Sequence, residues 1–304
     1  MAPGIYVEIL IRGSMDELWE KTQTPSLHKR WDLRFTDIEY LPRSNDSEPQ
    51  QFLYATRIGF GLAIRGKGET LGTRDDDAGT RTSSLKFWSD NPISLISEGS
   101  GYWKYIPSPD GITFLTWYDY KTRFGILGKL LDILIFKPLM GWATAWSFDR
   151  LRSWIEDALP PEATISASCS YTLARIAIAF VWIYHGLVPK LISRHRDELE
   201  MMSQSGFPSD MLSNVVLLAG VVEILFGALL LIRWRDRNLL WATIVLMLAA
   251  LAGVALNSPG YLVAAFNPVT LNLSMIALSI IALVLLPYSA TAKTCHRRKP
   301  EQEQ

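Results

Sequence analysis

The apolar stretch FVWIYHGLVPKLI, residues 180–192, holds His185, Pro189 and Lys190. A titratable ring, a helix breaker and a cation are thus placed where lipid would offer them no water. A charged side chain in mid-membrane costs about 2.5 to 3.5 kcal/mol on insertion scales, so such groups call for partners. Glu223 is the one charged residue of the next apolar run, 212–232, and shares a stripe with Gly220 and Gly227 at i, i+3 and i+7 that suits close helix packing. Pro189 has no N–H, which frees the His185 carbonyl and predicts a kink beside the ring. Counting about 1.5 Å per residue from the inner end puts His185 about 18 Å deep and Glu223 about 13 Å deep, within one turn of each other. The expectation is therefore a Glu223–His185 pair, with Lys190 nearer the outer interface as a second candidate partner and Arg175 at the inner edge. Such a site would hold a proton or a polar ligand. The alternative is that each group reaches water or a backbone carbonyl by itself and serves packing alone.

Other chemistry is sparse. Cys169 and Cys295 are the only cysteines and are expected as free thiols. RDDDAG, residues 74–79, lacks the alternating ligands and distal glutamate of a calcium loop and reads as a solvated turn. No glycine-rich phosphate loop, nucleophile elbow, His-Glu zinc motif or haem attachment sequence is present. His185 is the only histidine in an apolar run, which excludes bis-histidine haem ligation by one chain. No catalytic residue, metal site or cofactor is identified. Trp88, Trp103, Tyr105, Phe114, Trp117 and Tyr118 lie on strand-like runs and are candidates to line a ligand cavity, against the alternative of ordinary core packing.

The elements that must carry these residues fall into two halves. Of 304 residues, 30 are basic and 30 acidic, a balance that gives no sign of nucleic-acid binding. Near residue 160 the composition changes from alternating polar and apolar residues to long uncharged runs. Four runs, 173–192, 212–232, 239–257 and 269–287, meet the roughly 20 apolar residues that a bilayer core of about 30 Å requires. RWRDRN between the second and third, and KTCHRRK after the fourth, gather lysine and arginine on one side, whereas SPGYLVAAFNP and the acid-containing 193–210 lie on the other. The basic side is expected inside, and four spans put both termini there. MAPGIYVEILIRGSMDEL has neither a basic leader nor an apolar core of signal-peptide length, which points the same way. The expected domains are a cytoplasmic ligand-binding domain at 1–160, a linker at 161–170, a four-helix membrane domain at 171–290, and a basic, disordered tail at 291–304.

In the first half IYVEILI alternates as a half-buried strand. Ser14 with Glu17 forms a capping-box pattern, and Pro25 divides the following segment into two short helices. Six strand-like runs separated by turn clusters imply an antiparallel sheet. A helical stretch over about 125–158 closes the domain. Its apolar part, FGILGKLLDILIFKPLMGWATAW, either packs on the sheet or lies at the bilayer surface with Trp142 and Trp146 near the headgroups.

This order of elements, with the closing ATAWSFDRLRSWIEDALPP, resembles the START-like superfamily (SRPBCC, polyketide cyclase/dehydrase-like), an α+β helix-grip fold. RIAIAFVWIYHGLVPKLI, GVVEILFGALLL and LNSPGYLVAAFNPVTLNLSMIALS resemble the DoxX-like family of four-span, all-α membrane proteins. The first resemblance implies a hydrophobic ligand held between sheet and helix. The second implies a membrane protein sometimes associated with respiratory or thiol-redox complexes. Together they imply a bacterial inner-membrane protein that binds or passes on a lipid or hydrophobic small molecule at the inner leaflet. A second reading is a subunit of a quinone-linked redox complex with a membrane redox partner, and a third is a cyclase or dehydratase.

Overall fold

The computed structural model describes residues 4–43, 45, 48–59, 61–265 and 267–299. They form two compact units: residues up to Thr164 together with those from Ala290 onward, and Ile165–Ser289.

The first unit begins with β1 (Ile5–Ile11), whose Val7, Ile9 and Ile11 are fully buried. Ser14 accepts the Glu17 N–H at 3.1 Å and so starts α1 (Met15–Gln23). Pro25 opens α2 (Pro25–Trp31), where a missing N–H costs nothing. β2 (Asp37–Tyr40), β3 (Gln51–Gly59), β4 (Leu62–Asp75), β5 (Arg81–Trp88), β6 (Ile96–Ser108) and β7 (Gly111–Thr122) follow as a meander. The seven-stranded sheet has the order β1-β7-β6-β5-β4-β3-β2 and is antiparallel throughout. At the β4–β5 turn the Asp76 carboxylate accepts the N–H groups of Ala78 and Thr80 at 3.0 and 2.8 Å, which is what closes RDDDAG.

The closing helix has three parts: α3 (Gly125–Leu131), a π turn at Asp132–Phe136, and α4 (Lys137–Glu156). Ala145, Phe148 and Leu151 of α4 are fully buried in one core with β1, β7, Trp31 and Trp103. A sheet wrapped on a long C-terminal helix is the expected helix-grip α+β arrangement.

The boundary between the two units, at 164/165, falls inside the expected linker 161–170, and α5 (Pro161–His185) runs through it as helix. One domain expectation needs correction: residues 291–299 are no disordered tail; 300–304 lie outside the described residues. Asp149 of α4 accepts the Thr291 N–H at 2.8 Å and the Thr294 hydroxyl at 2.9 Å, and Glu8 and His296 exchange both backbone hydrogen bonds at 2.9 Å. Cys295 packs its thiol on the Ala145 carbonyl at 3.3 Å, and burial pushes its pKa up to about 12. Basic composition alone favours solvation. A buried carboxylate on another element outweighs it.

In the second unit α5 runs into a π segment, Gly186–Ile192, followed by α6 (Arg196–Gln204), α7 (Leu212–Ile232), α8 (Arg237–Asn257) and α9 (Pro268–Leu285). Among the described residues four stretches are long and apolar enough to cross a membrane: Pro161–Ile192, Leu212–Ile232, Arg237–Asn257 and Pro268–Thr294. The second coincides with its expected range. The first begins twelve residues earlier than 173, since the helix continues back to Pro161.

Candidate functional site

Pro189 cannot donate, and the helix around it widens, with Ser193 N–H reaching the Val188 carbonyl at 2.9 Å and His195 N–H the Pro189 carbonyl at 2.8 Å. Within this π segment Lys190 is buried, its Nζ 3.1 Å from Glu223 Oε2 of α7 and 3.2 Å from Glu198 Oε1 of α6. The expected Glu223–His185 pair is not formed. Gly186, not His185, faces α7: a Cβ added to Gly186 would stand 2.4 Å from the Gly220 carbonyl and 3.0 Å from Glu223 Cβ. Lys190, four residues on, shares that face, whereas His185 is turned about 100° away. The His185 ring instead lies against Tyr184, centroids 6.1 Å apart. Gly220 and Gly227 do provide the close packing that their spacing predicts. Added Cβ atoms would meet Gly186 O at 2.7 Å and Ala179 O at 2.9 Å respectively.

Arg175 does not join this cluster. It is fully buried and donates to the carbonyls of Leu230, Arg233 and Asp236 at 3.0, 2.8 and 3.1 Å, closing the C-terminal end of α7. Lys190 is fifteen residues further along, about 22 Å at helical rise. The cluster is therefore Lys190 near the end of the first candidate span, Glu223 of the second, and Glu198 of α6, which lies outside the four candidate spans: two carboxylates on one ammonium. Glu223 Oε2 is in ion-pair contact with the Lys190 ammonium at 3.1 Å and has no other polar partner among the described residues. Trp182 Nε1, on the same α5–α7 interface through its ring contact with Phe226 at 4.8 Å, likewise has no hydrogen-bond partner among them. The arrangement can take a proton, or a polar group that donates to the carboxylate.

The helix-grip domain holds a second buried ionic cluster, which no sequence motif had singled out. His28 and Asp32, four apart on the α2 turn, meet at 3.0 Å. Arg34 donates Nε and Nη2 to the two oxygens of Asp32 at 2.9 and 2.7 Å, a fork on a carboxylate with no exposed surface. Burial would raise the Asp32 pKa, but Arg34 and His28 hold it well below the usual carboxylate range. Burial outweighs Asp32 at His28 and lowers that pKa. The His28 ring is walled by Trp31, Phe35 and Trp103 at centroid distances of 5.0, 5.2 and 4.9 Å. The i, i+4 spacing within HKRWDLR was the available signal.

Strand register sorts the six aromatic candidates. Trp103, Tyr105, Phe114 and Tyr118 face α4 and are buried, with Phe114 4.5 Å from Phe148. Trp88 and Trp117 are on the opposite face, Trp117 stacked on Tyr102 at 6.0 Å. The six therefore do not line one cavity. On the α4 side, however, three half-buried rings lie over glycines of neighbouring strands. An added Cβ would be 2.2 Å from the Tyr54 ring at Gly66, 2.3 Å from Phe52 at Gly68 and 2.4 Å from Phe87 at Gly99. An open groove of about 820 Å³ runs on the other face, along Leu53, Ala55, Arg57, Arg65 and Lys67.

Residues 179–280 match the DoxX-like family. The uncharacterized membrane protein YndG of Bacillus subtilis strain 168 is 52% identical over 183 residues, 60% of this chain and 68% of that protein. The chain belongs to the DoxX-like family. The match takes in His185, Lys190 and Glu223 and leaves out Arg175, so the ion pair lies inside the DoxX-like segment and the helix-capping arginine precedes it. Solved structures align with about half of the chain. The protein TTHA0849 of Thermus thermophilus is 18% identical, covering 51% of this chain and 99% of that one, with a TM-score of 0.38. A STAR-related lipid transfer protein of Xanthomonas axonopodis is 15% identical over 49% and 82% of the chains, TM-score 0.38. Human StAR-related lipid transfer protein 5 is 15% identical over 50% and 74%, TM-score 0.38.

Proposed function

We propose that this DoxX-like protein binds an apolar or amphipathic small molecule in its helix-grip domain and exchanges it with the inner leaflet of the bacterial cell membrane. The observation that supports this reading is the row of half-buried Phe52, Tyr54 and Phe87 rings lying on Gly66, Gly68 and Gly99, on the side of the sheet that α4 covers mainly at β1. Rings held over glycines can swing with no side chain beneath to block them. The domain lies on the cytoplasmic side. Support comes from Arg233, Arg235, Arg237 and the basic residues after 292, which share one end of four spans. The docking of residues 290–299 on the first unit fits an array of spans that starts and ends on that same side.

The test is photolabelling of the full chain in nanodiscs with a diazirine-bearing fatty acyl lipid, followed by peptide mapping. Labels within residues 51–88, reduced by Tyr54→Ala with Phe87→Ala, are expected. Labels confined to the four spans would overturn the reading.

A further inference from the structure

α3 and the π turn after it are inside out for a soluble domain. Ile126, Leu127, Leu130, Ile133, Leu134 and Ile135 are all exposed, Ile126 at 87% and Leu134 at 65%. The one acid of the segment is the residue drawn inward: Asp132 is buried and accepts the Tyr120 hydroxyl at 2.7 Å. Phe136 packs edge-on to the same tyrosine at 6.0 Å, and Arg123 ties the segment's start to the Ser89 and Asn91 carbonyls. These anchors hold the apolar side chains outward. Six large ones together exceed the patches of a few hundred Å² that soluble monomers ordinarily expose. From 124 to 148 the outward charge is basic, with Lys129 exposed and no exposed acid, and Trp142 stands half-exposed at the far end.

We propose that residues 124–142 enter the headgroup region of the bilayer that holds the chain's own spans, and are received there by anionic lipid. Covalent reach supports this occupant: α4 ends at Glu156 and the first span's helix begins at Pro161, while the last span's chain returns to the same unit at Ala290. Apolar side chains flanked by a lysine and an edge tryptophan are the composition of an interfacial segment. The inference does not depend on what the helix-grip domain binds.

The full chain, with Cys169→Ser and Cys295→Ala, would carry an environment-sensitive fluorophore at Ile126→Cys, Leu130→Cys or Leu134→Cys in nanodiscs of phosphatidylcholine and phosphatidylglycerol. A control probe at Asp77→Cys sits in the exposed β4–β5 turn. Headgroup-proximal spin-labelled lipid is expected to quench the three probes about two-fold or more beyond the control, and Lys129→Glu to weaken that quenching. Quenching no greater than at position 77 would overturn the proposal. So would a probe shift that depends on the number of copies per disc rather than on lipid, because a second copy would then cover the segment. Quenching that is unchanged by Lys129→Glu or in pure phosphatidylcholine would overturn the anionic-lipid part.

Discussion

The two buried ionic clusters differ in how fully their carboxylates are used. In the helix-grip domain both oxygens of Asp32 accept from the Arg34 guanidinium, and the Arg34 backbone N–H and the His28 ring add two further contacts. In the DoxX-like domain Lys190 is shared by Glu198 and Glu223, and Glu223 Oε2 has no polar partner besides that ammonium among the described residues. A saturated cluster specifies a fold. One with spare accepting capacity and one carboxylate in excess can also take up a proton or a donor group, and that difference favours the membrane half over the domain as the seat of any titratable function.

The sharpest way to break this contrast is Asp32→Ala, which strands Arg34 in a site with almost no solvent. Breaking a buried pair from one side costs about 3 to 5 kcal/mol, so a loss of that size is expected in denaturant unfolding of the first unit followed by tryptophan fluorescence. A loss under about 1 kcal/mol would mean that Arg34 finds other acceptors and the cluster is not saturated. Next in size is Arg175→Lys. An ammonium cannot reproduce three donor directions toward Leu230, Arg233 and Asp236, and about 2 to 3 kcal/mol of bundle stability is expected to go, read as a lowered unfolding midpoint in detergent.

How far these sites were legible in the sequence follows the same division. Ser14 as a cap, Pro25 as a break and the 212–232 span are local signals, and the structure places them where the chain suggests. The alternation of strand side chains already separates Trp117 from Phe114 and Tyr118. His185 against Lys190 was not legible, because the π segment around Pro189 and the Gly186–Gly220 contact set which residue meets α7. Asp149 is 142 residues from Thr291 in sequence, so the docking of 290–299 is a tertiary fact that basic composition conceals. His28, Asp32 and Arg34 were readable from spacing alone, yet nothing local says that the turn carrying them is buried.

Smaller still is the pH response of the saturated cluster. His28 has a folded pKa below its ordinary value of about 6.5, so below that pH the unfolded chain binds more protons and stability falls as pH falls. Asp32 acts in the same direction at lower pH, its depressed pKa giving stability that is present above about 3.9 and is lost on further acidification. Between about pH 6.5 and 5 the first unit is expected to lose up to about 1.4 kcal/mol per pH unit, and His28→Gln should flatten that slope. A slope unchanged by the substitution would remove His28 as its origin.

The smallest single effect belongs to the cluster with spare capacity. Lys190 keeps Glu198 when Glu223 is neutralised, and keeps Glu223 when Glu198 is, so Glu223→Gln and Glu198→Gln should each cost less than about 1 kcal/mol of bundle stability. Together they leave a buried ammonium with no counter-charge, and the double variant is expected to lose clearly more than the sum of the singles. Strictly additive losses would mean that Lys190 is not shared, and would make the membrane cluster as simple as two separate contacts. If Glu223→Gln alone were as costly as Asp32→Ala, the second carboxylate would not be in excess. The contrast between the two halves would then fail, since both clusters would be saturated and neither would keep a group free for chemistry.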